Sequence, residues 1–313
     1  MRRIADVGSH TRDVLAFLAD SAAKELACAL AVVDLVDGSS PRARGAMLAV
    51  NADRAYCGYV SNGCVDADVA LQAMATTVAG RARRVRYGEG SPYKDVQLPC
   101  GGAMELLLIP NPDADAIAAA IDAFDSRAAL QVSLASDGAF IVGDAGEQDT
   151  LFTHCYAPPM RIAIVGKGAE ALALLRLSRA AGCDVHVYSP DADIIEAAAD
   201  LSIPATPLRS AADLIDLPTD PWSAIALLFH DHDWEAEILA RALETDAFYI
   251  GAMGSSQTHT RRLDILKSLG VHDNDLSRVR GPIGLFHSAR DADALAVSVL
   301  AEIFKAFPGE ARR

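Results

Sequence analysis

The chain has 313 residues, 51% of them hydrophobic, and a formal net charge of −14 at pH 7. That length exceeds what one hydrophobic core usually organises, so two domains are expected. The acidic balance argues against nucleic acid or an anionic membrane surface as a partner, and no run approaches the ~18 apolar residues of a membrane span, which predicts a cytoplasmic protein.

Six cysteines are too sparse for a disulfide scaffold, and no CxxC occurs, so reduced thiols are expected. In chain order, residues 11–31 carry apolar positions at helical spacing (Val14, Leu15, Leu18, Ala22, Leu26), predicting a helix that takes in Cys28. A strand follows over 30–36. Strands at 46–50 and 55–60 flank the Asn51-Ala52-Asp53 turn, and a helix over 65–78 opens at Ser61-Asn62-Gly63. A strand at 104–109 ends on Pro110, a helix covers 113–124, and strands at 130–134, 139–142 and 151–156 complete an α+β region.

Residues 38–66 hold two small-residue turns, the pair Arg42 and Arg44, and Cys64 at the tip of the second turn. Glycine-rich turns let backbone N–H groups approach an anion, because glycine tolerates positive φ and has no Cβ. Arg42 and Arg44 are two apart and share a face on an extended segment, either as anion ligands or as a solvated pair. A second thiol, Cys100, stands before Gly101 and Gly102. Cys28, Cys57, Cys155 and Cys183 sit in helix, strand or helix-end patterns and read as packing residues, whereas Cys64 and Cys100 stand out by their glycine context.

Ala157-Pro158-Pro159 marks the expected domain boundary, dividing residues 1–157 from 158–313. Beyond it lie a buried strand (162–165), the turn Gly166-x-Gly168-x-x-Ala171, an apolar helix to 181 and a strand at 185–188. Strand, glycine turn and helix in one unit of ~30 residues predict a Rossmann-type fold. The end of the second strand, where an NAD site holds a ribose-binding carboxylate, carries Ser189-Pro190 with Asp191 two residues later, so NAD(P) binding is expected to be weak or absent. Lys167 is open to either a phosphate or solvent. A strand at 224–229 runs into His230-Asp231-His232-Asp233, which reads as a helix cap or, less readily, as metal ligands. A strand at 248–250 leads through Gly254 and Ser255, small residues offering N–H groups to an anion, into a helix with Arg261 and Arg262; an apolar helix over 292–304 closes the chain.

Several of these motifs, in this order, resemble the xanthine dehydrogenase accessory proteins of the XdhC/CoxI family over nearly the whole length. Gly38-Ser39-Ser40-Pro41-Arg42-Ala43-Arg44-Gly45-Ala46 matches the family's G-S-S-P-R-x-x-G-A stretch. Ser61-Asn62-Gly63-Cys64-Val65-Asp66 matches its glycine-cysteine turn with a nearby acid, here aspartate for the usual glutamate. Cys100-Gly101-Gly102 with Glu105 matches a second cysteine turn, and Phe229-His230-Asp231, 249–255 and 281–285 match its Rossmann domain.

The resemblance implies an N-terminal α+β domain of XdhC/CoxI type, a C-terminal Rossmann-like domain with a mostly parallel sheet, and a maturation factor for molybdenum hydroxylases. Such a factor binds the molybdenum cofactor, as molybdopterin or its dinucleotide, assists its sulfuration and hands it to the apo-enzyme. Expected partners are a client molybdenum hydroxylase and a cysteine desulfurase, with a homodimer as a further assembly. A phosphate-bearing pterin dithiolene with an oxidised metal calls for N–H groups, arginine and soft sulfur. Ser39, Ser40, Arg42 and Arg44 would supply the first two, beside Gly63, Gly101 and Gly102. Cys64 and Cys100 would supply the sulfur chemistry, and Gly166, Gly168, Gly254 and Ser255 would serve any ligand of the Rossmann domain. Two other readings stand beside this one: an NAD(P)- or thiol-dependent oxidoreductase acting at the Rossmann crevice, and an adaptor that only docks to a hydroxylase.

Overall fold

A computed structural model describes residues 2–3 (backbone only), 10–39, 42–91, 101–146, 149–214, 217–229, 234–286 and 291–308. Ser40, Cys100 and the 230–233 cluster, all singled out in the sequence, lie outside the described residues. The chain divides into two compact units, Met1–Pro158 and Pro159–Arg313.

The first unit runs β1 (Arg2–Arg3), α1 (Thr11–Ala23), β2 (Cys28–Asp37), β3 (Met47–Asn51), β4 (Ala55–Gly58), α2 (Asp66–Ala79), β5 (Arg83–Gly88), β6 (Ala103–Pro110), α3 (Ala114–Asp125), β7 (Leu130–Ala135), β8 (Phe140–Val142) and β9 (Thr150–Tyr156). Six strands form one sheet in the order β1-β4-β3-β2-β6-β5, and β8-β7-β9 form a second. The central strand β2 is buried on both faces, which explains its unbroken apolar run. Its even residues Leu30 and Val32 pack with α1, α3 and the small sheet, while Ala29, Ala31 and Val33 pack under α2 with Val69, Ala70 and Ala73.

Cys28 is not helical, as the spacing of 11–31 predicts, but opens β2. Helix α1 stops because Glu25 takes the left-handed conformation (φ 55°) and the Leu26 N–H turns back to the Ser21 carbonyl. The strand β5 escapes a reading by apolar runs because arginines surround Val85 and Tyr87. Its alternation is nonetheless two-residue, with Val85 and Tyr87 buried under α2. Arg84 and Arg86 point to the opposite face, where Arg86 pairs with Glu105 (2.9 Å) and Asp37 (2.8 Å) and Arg84 with Asp34 (2.5 Å). A bulge between Val33 and Leu35 sets Asp34 into that charged face.

The second unit runs β10 (Arg161–Gly166), α4 (Gly168–Ala180), β11 (Asp184–Ser189), α5 (Ala192–Asp200), β12 (Ala205–Pro207), β13 (Ser223–Leu228), α6 (Glu235–Leu243), β14 (Tyr249–Ala252), α7 (Ser256–Ser268), α8 (Asp273–Leu276), β15 (Val279–Arg280) and α9 (Ala292–Ala306). Its sheet is wholly parallel in the order β12-β11-β10-β13-β14-β15, the doubly wound arrangement whose strand order reverses between β10 and β13. Helices α4, α5 and α9 contribute Leu174, Ile194 and Val299 to the core on one face; α6 and α7 contribute Leu239 and Leu266 to the other. No described helix is long and apolar enough to cross a membrane.

Candidate functional site

Strand polarity gathers the predicted loops of the first unit at one end of its sheet. Asp37, last in β2, pairs with Ala103, first in β6, which pairs with Gly88, last in β5. Beside them, β3 begins level with Val32 and β4 ends level with Ala31, so the 38–46 and 59–65 loops emerge at the same end. Ser39, Arg42, Cys64, Gly101 and Gly102 are thereby brought to one rim from three stretches of sequence.

The Cys64 turn is built around a buried carboxylate. Asp66, 1% exposed, accepts from the Val60 N–H (3.0 Å), the Ser61 N–H (2.8 Å) and the Ser61 hydroxyl (2.8 Å) through Oδ1, and from the Gly63 N–H (2.6 Å) through Oδ2. The Ser61 Oγ in turn accepts from the Val65 N–H (2.8 Å). Asn62 and Gly63 both take positive φ (54° and 102°), the sharp reversal that brings three N–H groups onto one acid. Cys64 is exposed on the outside of this reversal, immediately before α2. The Gly63 N–H is therefore committed to Asp66, and the turn leaves Cys64 exposed beside Asn62.

Arg42 and Arg44 do not lie on one extended face: Arg42 is half-buried in a bend and Arg44 sits in a turn. The Arg44 guanidinium donates to the Asp34 carbonyl (2.8 Å) and the Thr153 carbonyl (3.0 Å), and it lies 4.5 Å over the Phe152 ring. It latches the loop to β9. Gly45 is needed at that latch, since a Cβ there would stand 2.6 Å from His154 Nε2. On the other side of the rim Gly102 lies so close to the Ser39 carbonyl that any side chain would collide with it, so the two glycine loops meet backbone to backbone.

In the second unit, Gly166 stands against the Leu228 carbonyl, which a Cβ would approach to 2.5 Å, and Gly168 opens α4 with φ 81°. Ser189 is fully buried, and its Oγ accepts from the Asp191 N–H (3.0 Å). Asp191 reaches back with Oδ2 to the Gly168 N–H (3.4 Å) while Oδ1 accepts from the Asp193 N–H (3.1 Å). Asp191 thus places a carboxylate against the Gly168 N–H of the glycine turn. Gly254 has φ 144°, and the Ser255 Oγ accepts from the Thr258 N–H (3.1 Å) as the cap of α7.

The sequence marks Arg262 but gives no sign of its buried partner, Glu235. Arg262 and Glu235, with side chains 2% and 4% exposed, form a bidentate pair (3.2 and 3.0 Å), and Arg262 also donates to the Met253 carbonyl (2.6 Å) and faces His259 Nδ1 (3.4 Å). The pair ties the chain after β13 to the chain after β14. Burial, then the Arg262 charge, pulls the His259 pKa below its ordinary value of 6.5. Among the described residues no group of three or more His, Cys, Asp and Glu side chains is arranged to hold a metal ion.

Comparison with known proteins agrees with this architecture. Residues 162–303 match the XdhC Rossmann domain and residues 21–88 match the XdhC and CoxI family. The molybdenum cofactor insertion chaperone PaoD of Escherichia coli K12 is 34% identical over 297 residues, covering 93% of this chain and 87% of PaoD. The chain belongs to the XdhC and CoxI family. A further relative from Escherichia coli K12, the uncharacterized protein YqeB, is 26% identical over 181 residues, covering 55% of this chain but only 32% of YqeB. A crystal structure from Bacillus halodurans, described as a xanthine dehydrogenase, superposes with a TM-score of 0.75 at 22% identity over 93% of this chain and 95% of the other, which shows a shared fold.

Proposed function

We propose that this XdhC-family protein is a molybdenum cofactor chaperone that holds the cofactor at the glycine-loop rim of its first unit and delivers it to a molybdenum hydroxylase. The observation that carries the reading is the exposed Cys64 thiol, held outward by the Asp66-braced turn at the same rim as Ser39, Arg42 and Gly102. The likeness to PaoD over nearly the full length supports it independently. The cofactor is cargo here. A soft thiol suits its molybdenum, and a guanidinium with small-residue backbone suits its phosphate. Arg44 serves by fixing the loop, and the proposal places the phosphate at Arg42 on the same rim. Sulfuration by a cysteine desulfurase, with Cys64 and Cys100 as the thiols, and transfer to a xanthine dehydrogenase-like client belong to the same proposal.

The test is purification of the chain from cells that make molybdenum cofactor and from cells that do not. Molybdenum and pterin fluorescence in near-equal amounts are expected only from the first. Neither signal in protein that is folded by circular dichroism would refute cofactor binding.

One observation favours a second reading, an NAD(P)-dependent oxidoreductase. The Asp191 carboxylate at the Gly168 N–H stands where a ribose hydroxyl would be gripped. Calorimetric titration with NAD separates the readings. Tight binding lost in Asp191→Ala supports a nucleotide site, and no heat at all removes it.

A further inference from the structure

Six charged side chains of the first unit form one continuous series of alternating sign. Arg44 faces Asp34 (3.4 Å), and Asp34 meets Arg84 (2.5 Å). Arg84 reaches Glu105 (3.7 Å), Glu105 pairs with Arg86 (2.9 Å), and Arg86 closes on Asp37 (2.8 Å). The series begins and ends on one loop. Asp37 is the last residue of β2, directly before the stretch that carries Ser39 and Arg42, and Arg44 lies at the far end of that stretch, three residues before β3. The four charges between them stand on β2, β5 and β6, which neighbour one another in the sheet.

Both inner arginines are fixed at a third point by backbone. Arg84 donates to the Leu151 carbonyl (3.1 Å) and Arg86 to the Glu89 carbonyl (2.8 Å). A planar guanidinium presents its donors in fixed directions, so each arginine sets where its carboxylates stand. Arg44, Arg84 and Asp37 are 43%, 43% and 56% exposed, and exposed pairs contribute little to stability. The series therefore bears on where the loop stands rather than on whether the unit folds.

We propose that Arg84 and Arg86 are positioning residues for the cofactor: through Asp34 and Asp37 they hold both ends of the arginine loop at the spacing at which Ser39 and Arg42 meet its phosphate. This rests on the reading of the rim as the cofactor site. A loose loop must be ordered when its cargo binds, and that cost is subtracted from the affinity. A loop clamped at both ends avoids it.

The test compares the parent chain, Arg86→Gln, Asp37→Asn and the double variant, each purified from cells that make molybdenum cofactor. On dilution, Arg86→Gln should lose molybdenum and pterin about fivefold faster than the parent, the scale of one exposed charge pair, with its thermal melt near the parent's. Asp37→Asn should act in the same direction, and the double variant should add little to Arg86→Gln, because both changes cut one link. Arg86→Lys, which keeps a charge between the two acids, should restore part of the retention. Hydrogen–deuterium exchange over residues 36–46 should quicken in Arg86→Gln, while that over 59–66, braced by Asp66, should not. Cofactor lost at the parental rate, or fully additive losses from the two changes, overturns the proposal. A parent without cofactor refutes the proposed function instead, and the exchange rates then decide the clamp: quickened exchange over 36–46 supports it and unchanged exchange overturns it.

Discussion

Replacing Asp66 by alanine tests whether the Cys64 turn is held by one carboxylate. The substitution removes the acceptor of four hydrogen bonds and strands the Val60 and Ser61 N–H groups, which are buried, whereas the Gly63 N–H is near enough to the surface to find water. Each stranded buried donor costs about 1–3 kcal/mol, so a loss of ~3–5 kcal/mol is expected. Asparagine restores acceptance at one oxygen but sets an NH₂ group against the Gly63 N–H, and about half that loss should remain. Both tryptophans, Trp222 and Trp234, lie in the second unit, so their fluorescence reports that unit while far-ultraviolet circular dichroism reports both. Urea titration should move the circular dichroism midpoint of the first unit at unchanged slope. A change under ~1 kcal/mol in Asp66→Ala would refute the bracing role.

Two further outcomes concern the second unit. Arg262→Ala or Glu235→Ala leaves one buried charge unpaired and should cost ~3–5 kcal/mol by tryptophan fluorescence, while the double change to Met and Leu should cost clearly less than the sum. His259 and His186 both have pKa values lowered from 6.5, His259 by burial then Arg262, His186 by burial then Arg161. The unfolded chain therefore binds protons that the folded one resists. Their contribution is present above about pH 6.5 and is lost as the pH falls below it; His259→Gln should flatten that acid-side slope, and an unchanged slope would exclude His259 as its source.

Much of the fold was legible because its strands are either unbroken apolar runs, as in residues 30–33 and 224–228, or are bounded by glycine and proline. What escaped did so for local reasons. The arginines of β5 conceal a two-residue alternation whose buried half is only Val85 and Tyr87. The apolar spacing carries the expected helix through Cys28 because nothing in the sequence marks Glu25 as left-handed. At the site, the motif pointed to Gly63 as an anion-binding N–H, but Asp66 three residues on takes that hydrogen bond, a contact that spacing alone does not reveal. Arg44 likewise looks equivalent to Arg42 until β9, more than a hundred residues later, supplies Thr153 and Phe152. Ser189 pointed to a lost carboxylate, and only the fold of 189–193 shows Asp191 reaching the glycine turn.

The central claim is that an exposed thiol on a braced turn holds the cofactor, and Cys64→Ser tests it most directly. An exposed loop exchange of this kind should change stability by no more than about 0.5 kcal/mol. Molybdenum content and pterin fluorescence of the purified variant should nevertheless fall well below the parent. The comparison variant Cys28→Ser, in the buried start of β2, should lose stability yet keep cofactor in whatever folds. A Cys64→Ser protein that retains parental cofactor content would contradict the account.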